Sequence, residues 1–192
     1  MAKVVVKSKV KKVKKKFPVE ILAPEYLNSV SLGSVNTVDL NSFVGKTAKI
    51  NMMYVTGNVK NQNIRLTFSV TEVSSGLGKT QVICYEQIPY YLGRFVKAGS
   101  DLVEDSFVGT TKDKVNVRVK PFIVTKQNVG KNVLSSVRLK AREVINTDIS
   151  SKTYDEFISS VISGKLQNVF RNEVKKVFPL KSFEFKKVEL EK

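Results

Sequence analysis

The feature that most constrains this chain is a change in the period of its apolar residues. Up to about Thr125 they recur mainly at every second position, and from Val133 to Val177 at every third and fourth. In "TAKINMMYV", Ala48, Ile50, Met52 and Tyr54 alternate with Lys49, Asn51, Met53 and Val55. In "NIRLTFSVTEV", Ile64, Leu66, Phe68 and Val70 alternate with Arg65, Thr67, Ser69 and Thr71. Successive side chains of a strand point to opposite faces, so this period describes strands buried on one face. "QVICYEQI" repeats it, as does "KVNVRVKPFIV", where Val115, Val117 and Val119 oppose Asn116, Arg118 and Lys120. The polar stretch "TGNVKNQN" connects the first pair, and "SSGLGKT" is read as a hairpin turn whose glycines supply positive φ. A phosphate-binding loop is the competing reading of "SSGLGKT", but Val73 replaces the required leading glycine and a strand pattern, not a helix, follows. "VGKTAKI" fails likewise, with Leu40 at the leading position.

Helical spacing begins with "IPYYLGRFVK", where Ile88, Tyr91, Leu92, Phe95 and Val96 share a face and Pro89 suits a first turn. "NVLSSVRLKAREVI" aligns Val133, Leu134, Val137, Ala141, Val144 and Ile145, leaving Arg138, Lys140 and Arg142 on the opposite face. "TYDEFISSVISG" opens on a capping box, Thr153 to Glu156, and closes on Gly164. "KLQNVFRNEVKKVFP" continues through Leu166, Val169, Phe170, Val174 and Val177 until Pro179 stops it, and "KSFEFKKVEL" reads as a last strand with Phe183 and Phe185 inward. Strands followed by helices, without regular βαβ alternation, predict an α+β fold: an antiparallel sheet or barrel with helices packed on one side. Residues 17–192 are expected to form one domain behind a disordered basic arm, residues 1–16.

Charge narrows the function. The chain has 33 Lys+Arg against 17 Asp+Glu, a net +16, so polyanions are its natural partners. Half of that excess sits in the first sixteen residues, where Lys3, Lys7, Lys9, Lys11, Lys12, Lys14, Lys15 and Lys16 occur with no acid. Such a run repels itself and has little apolar surface to bury, so it is expected to order only on a polyanion. A purely solubilising tail is the bland alternative. No apolar stretch is long enough to span a bilayer, "VVV" at Val4 is too short for a secretory signal, and the arm has no wide apolar face for a membrane surface. The expected location is therefore cytoplasmic, without a membrane partner.

Enzyme chemistry has little to work with. There is no histidine, which removes Ser-His-Asp and Cys-His catalysis and ordinary zinc sites. Cys84 is the single cysteine and sits in a strand pattern, which favours a buried hydrophobe over a reactive thiol. The densest acidic group, Asp101, Glu104 and Asp105, offers carboxylates for Mg²⁺, but carboxylates in a turn without a matching scaffold are usually just solvated. No cofactor, metal or small-molecule substrate is expected. Two alternatives stay open from the residues alone: a Mg²⁺-dependent RNA-processing enzyme using those acids, and a DNA-compacting basic protein.

Outside the arm, Arg118, Lys120 and Lys126 lie on one predicted strand and its exit, followed by Lys131 and then by the helix carrying Arg138, Lys140 and Arg142. Together they predict one phosphate-binding surface. The phenylalanines fall mostly at inward positions and there is no Trp, so binding should be dominated by backbone and shape.

Five ordered blocks carry a resemblance: "FPVEILAPEYL", "GKTAKINMMYVTG", "TTKDKVNVRVKPF", "SSVRLKAREVI" and "GKLQNVFRNEVKKVFPLKSFEFKKVEL". From about Phe17 onward the chain resembles the archaeal and eukaryotic small-subunit ribosomal protein family S-three-a (e-S-one), with a length nearer the archaeal form. The resemblance implies a barrel-like core seated on the small-subunit platform near the mRNA exit. It also implies contact with the 3′ region of small-subunit rRNA and with neighbouring platform proteins, and a structural role without catalysis. By position, Arg118, Lys120, Lys126, Arg138 and Arg142 fall in that family's basic strand-loop-helix region. The chain departs from the family's pattern at Phe17, usually tryptophan; at Lys114, where a T-K-D-G turn has glycine; and at "KAGSDLVED", which replaces an arginine-rich loop.

Overall fold

The structure is a computed structural model describing residues 16–38, 40–74 and 76–191. Lys7, Lys9, Lys11, Lys12, Lys14 and Lys15 lie outside the described residues, as does the rest of the arm up to residue 15; Lys16 is exposed just before the first strand. The strands are β1 (Phe17–Leu22), β2 (Ser31–Thr37), β3 (Thr47–Asn51), β4 (Ile64–Ser74), β5 (Leu77–Gln87), β6 (Leu102–Glu104), β7 (Phe107–Thr110), β8 (Asn116–Thr125) and β9 (Leu180–Leu190). The helices are α1 (Met52–Thr56), α2 (Pro89–Gly93), α3 (Lys131–Ser151), α4 (Tyr154–Ile162) and α5 (Lys165–Val174).

The alternating stretches of the sequence form the centre of the sheet. β4 and β5 make the expected hairpin, with Ser74 opposite Leu77 and Gly76 at φ 80°, where a side chain would be strained. Leu66, Phe68 and Val70 are buried on β4, and Val82 and Tyr85 on β5. β8 and β9 pair antiparallel from Val117 opposite Leu190 to Thr125 opposite Leu180. A register shift at Lys120/Pro121 changes the alternation of β9, so Phe185 and Val188, three apart, both point into the core.

The expected barrel does not form. The free edge of β5 is shared between two partners: β1 runs parallel to it at Glu20–Leu77 through Leu22–Lys79, and β9 runs antiparallel at Cys84–Glu189 through Glu86–Lys187. The sheet, nine-stranded among the described residues, is therefore mixed and forks at β5 into a β1–β2 wing and a β9–β8–β6 wing. On its other side β3 pairs with β4, and no pairing among the described residues joins β3 or β2 to β6 or β7. Instead of curling onto itself, the sheet buries one face beneath α3, α4 and α5.

Those helices show their sequence pattern plainly. α3 buries Val137, Ala141, Ile145 and Ile149 at a spacing of four, and it crosses β7 closely enough that a Cβ added to Gly109 would meet Ile149 Cδ1 at 3.0 Å. The capping box of α4 is formed in both directions, with the Thr153 hydroxyl accepting from Glu156 N–H and the Glu156 carboxylate accepting from Thr153 N–H. Phe170 of α5 meets Phe183 and Phe185 of β9 edge-on, with ring centroids 5.9 and 6.0 Å apart. The opposite sheet face is not bare, because Phe122 and Val124 pack there under Leu92 of α2 and the adjacent Phe95.

Two expected elements end early. Alternation through "TAKINMMYV" stops at Asn51, whose Oδ1 accepts from Met53 N–H at 2.9 Å and caps α1, and Gly57 at φ 67° terminates that helix. Met52 and Val55, three apart, are the buried pair, and Tyr54 is 74% exposed. α2 is only one turn long. Lys114 holds φ 60° in the β7–β8 turn, a left-handed conformation that glycine adopts more easily. Among the described residues no helix is long and apolar enough to cross a membrane.

Candidate nucleic-acid interface

Arg118 and Lys120, two apart on β8, project from one face of the sheet. Their neighbours on β9 are Glu189 opposite Arg118 and Lys187 opposite Lys120. The Arg118 guanidinium donates to Glu191 at 2.5 Å, and the Lys120 ammonium lies 3.5 Å from Glu189, whose carboxylate also accepts from Lys187. Partial burial works against ionisation of Glu189, but Lys187 and Lys120 outweigh it and hold the carboxyl below its ordinary range. This part of the surface is thus a ladder of mixed charge, not a continuous positive stripe.

The α3 cations divide into engaged and available groups. Arg142 forks onto Asp105 with contacts of 2.8, 2.9 and 3.1 Å and lies over the Phe107 ring at 5.4 Å. It ties α3 to the β6–β7 connection. Lys140 pairs with Glu143 at 3.0 Å on its own helix. Arg138, one turn before Arg142, is exposed and makes no ion pair among the described residues; the same holds for Lys126 and Lys131. Arg138 and Lys120, from helix and strand, face a shared cleft of about 400 Å³ together with Lys186 of β9 and the carboxylates of Glu104 and Asp105. Lys186 is the cation that sequence reasoning left out of this surface. It is far from the strand-helix block in sequence, and only the pairing of β8 with β9 brings it there.

The carboxylates proposed for Mg²⁺ are occupied. Asp101 accepts from Val129 N–H at 2.6 Å, Glu104 pairs with Lys186 at 2.9 Å, and Asp105 holds Arg142. Among the described residues no group of three or more His, Cys, Asp or Glu is arranged to hold a metal ion. Cys84 is half-buried rather than fully enclosed, and burial pushes its thiol above the ordinary range, away from the reactive thiolate.

The residues that fold the chain and those that offer charge are now placed, and comparison with known proteins decides the family. The sequence description of the ribosomal S3Ae family matches residues 5–192. The chain belongs to that family. It is similar to the small ribosomal subunit proteins eS1 of Halorubrum lacusprofundi and Haloarcula marismortui, each 28% identical over 171 residues, spanning 89% of this chain and 80% of the relative. The eS1 protein of Saccharolobus islandicus is 28% identical over 170 residues, covering 88% of this chain and 82% of its own. Membership of the S3Ae family makes this chain a ribosomal, rRNA-binding constituent of a ribonucleoprotein that serves translation as a structural part, not as an enzyme. The acids of "KAGSDLVED" accordingly act in this S3Ae chain as internal anchors, with Asp101 holding the approach to α3 and Asp105 holding its middle.

Proposed function

We propose that this chain is a constituent of the cytoplasmic small ribosomal subunit that binds the 3′ region of its rRNA on the platform, near the mRNA exit and beside neighbouring platform proteins. The observation that carries this reading, given the family, is the convergence of Lys120, Arg138 and Lys186 on one cleft whose two carboxylates, Glu104 and Asp105, are already paired with Lys186 and Arg142. Arg138, Lys126 and Lys131 offer charge without an ion-pair partner among the described residues, so phosphates meet them at no cost to the fold. Arg118, Lys120 and Lys140 are paired with half-exposed or exposed carboxylates, and such pairs contribute only about 0–1 kcal/mol, so phosphate can replace the carboxylate. Arg142 serves differently, fixing α3 so that Arg138 faces the cleft. The lysines of the arm, Lys7 to Lys16, add sequence-independent attraction along the RNA backbone. Sedimentation of cell lysate tests this: the chain should travel with small subunits, and its absence from purified small subunits would overturn the proposal.

A further inference from the structure

The longest stretch of this strongly basic chain without a charged residue runs from Tyr26 to Val38, and β2 lies inside it. β2 is also a margin of the sheet, since among the described residues it pairs only with β1. The direction of its backbone groups follows from its neighbours. Glu20 N–H donates to the Gly76 carbonyl at 2.9 Å, so Glu20 turns its backbone toward β5, and Val19 and Ile21 on either side turn theirs toward β2. Val19 lies opposite Val35 and Ile21 opposite Gly33, so those two β2 residues answer β1. The N–H and C=O groups of Ser34 and Asn36 therefore point away from the sheet, and both residues are exposed.

An unpaired margin is a template for another extended chain, and proteins usually blunt it with short strands, lysine, proline or a cover. The other margins of this sheet follow that rule. β6 and β7 have three and four residues, and β3, with five, carries Lys49. β2 has seven residues and neither charge nor proline. Its side chains add a second indication. Val35, 42% exposed, shares a face with Val19, which is buried in a small apolar cluster with Ile21, Phe43 and Val70, and Phe17, 55% exposed, lies on the same face. The cluster thus runs out to the margin and stops there uncovered.

The chemistry of the occupant is set by these groups. A row of outward N–H and C=O groups is matched by an extended polypeptide, and β2 offers no cation to hold a phosphate. On the reverse face Glu20, opposite Ser34, is exposed and accepts only from the Ser31 hydroxyl, at 2.6 Å, without an ion pair among the described residues; it repels phosphate and suits a lysine or arginine of the incoming chain. We propose that an extended segment of a neighbouring small-subunit protein adds to β2 as a further strand, pairing with the backbone of Ser34 and Asn36 and setting an apolar side chain against Val35. The proposal rests on the ribosomal reading above for the identity of the assembly, and it places a protein contact on a different wing of the sheet from the basic cleft.

Amide hydrogen exchange tests it, followed in the purified chain, in its complex with deproteinised small-subunit rRNA, and in intact purified small subunits. The Ser34 and Asn36 amides should exchange freely in the first two and at least about tenfold more slowly in the intact subunit, while the Val19 and Ile21 amides are slow in all three. Asn36→Pro removes an N–H that β1 does not use, and Val35→Lys keeps every N–H but puts charge on the margin. Each should abolish the protection of Ser34 in the subunit and preserve that of Val19 and Ile21. Protection already present in the purified chain would overturn the proposal, in favour of the chain's own arm where it is independent of concentration and of a second copy where it grows with concentration. Protection by rRNA alone, free exchange in the intact subunit, or protection that survives both substitutions would overturn it as well and leave the ribosomal function intact. Absence of the chain from purified small subunits would overturn both.

Discussion

Replacing Arg142 with methionine, beside Arg138→Ala, separates a residue that holds the fold from one proposed to touch RNA. Asp105 keeps only 14% of its side-chain surface, against 43% for Arg142. Removing the guanidinium therefore leaves a mostly buried carboxylate whose remaining partner is Ser106 N–H at 2.8 Å. Breaking a fully buried pair from one side costs about 3–5 kcal/mol and losing an exposed pair about 0–1 kcal/mol, so this half-exposed case falls at about 1–3 kcal/mol. At this chain length that lowers Tm by about 2–12 °C, read from thermal unfolding followed by circular dichroism. The companion change, Arg138→Ala, removes an exposed cation with no ion pair among the described residues and should leave Tm within about 2 °C, since surface changes of this kind are usually within ±0.5 kcal/mol. In rRNA binding measured across salt concentrations the order reverses: Arg138→Ala should make the slope of log K on log[salt] shallower by about 0.9, one phosphate contact, while Arg142→Met should not change it. An Arg142→Met chain with unchanged Tm and a slope shallower by about one would refute the assignment of Arg142 to the fold.

Three further outcomes follow from local geometry. Lys114→Gly relieves the left-handed backbone at φ 60° and should raise Tm by about 2–4 °C, corresponding to about 1 kcal/mol. Burial raises the Glu184 carboxyl above its ordinary value of 4.5, so the folded chain holds that proton more tightly than the unfolded chain and stability falls as pH rises from there through the folded pKa. Glu184→Gln keeps an acceptor for Gln87 Nε2, so it should raise Tm at neutral pH and flatten the loss of stability above pH 4.5 in unfolding curves taken across pH. Thr153→Ala removes one half of the α4 capping box and should cost about 1 kcal/mol in chemical denaturation, with the rRNA salt slope unchanged.

The legible parts of the fold were those whose burial has one dominant face. β4, β5 and β8, the stripe of α3, and the cap of α4 could be read because one side chain in two, or one in four, faces the core. β2 could not, since most of its seven residues are exposed and no period marks them. Tyr54 misled because a polar cap at Asn51 and a glycine at Gly57 override alternation over five residues. Closure of the sheet depends on which strands share β5, and pairings between positions such as Glu20 and Leu77, or Cys84 and Glu189, leave no local trace. The candidate interface shows the same division. Arg138 beside Lys120 could be inferred from a strand leading into a helix. The retirement of Arg142 to Asp105 and the arrival of Lys186 required the tertiary structure.

The central claim is that positive charge on this chain neutralises ribosomal RNA, with the arm carrying the largest single share. The salt dependence of small-subunit rRNA binding by the full chain, compared with a chain lacking residues 1–16, measures it directly. Eight lysines on duplex phosphates contribute about −7 to the slope of log K on log[salt], so the truncated chain should show a slope shallower by about 7 and a much weaker affinity at low salt. Equal slopes for the two chains, or an affinity indifferent to salt, would contradict the account.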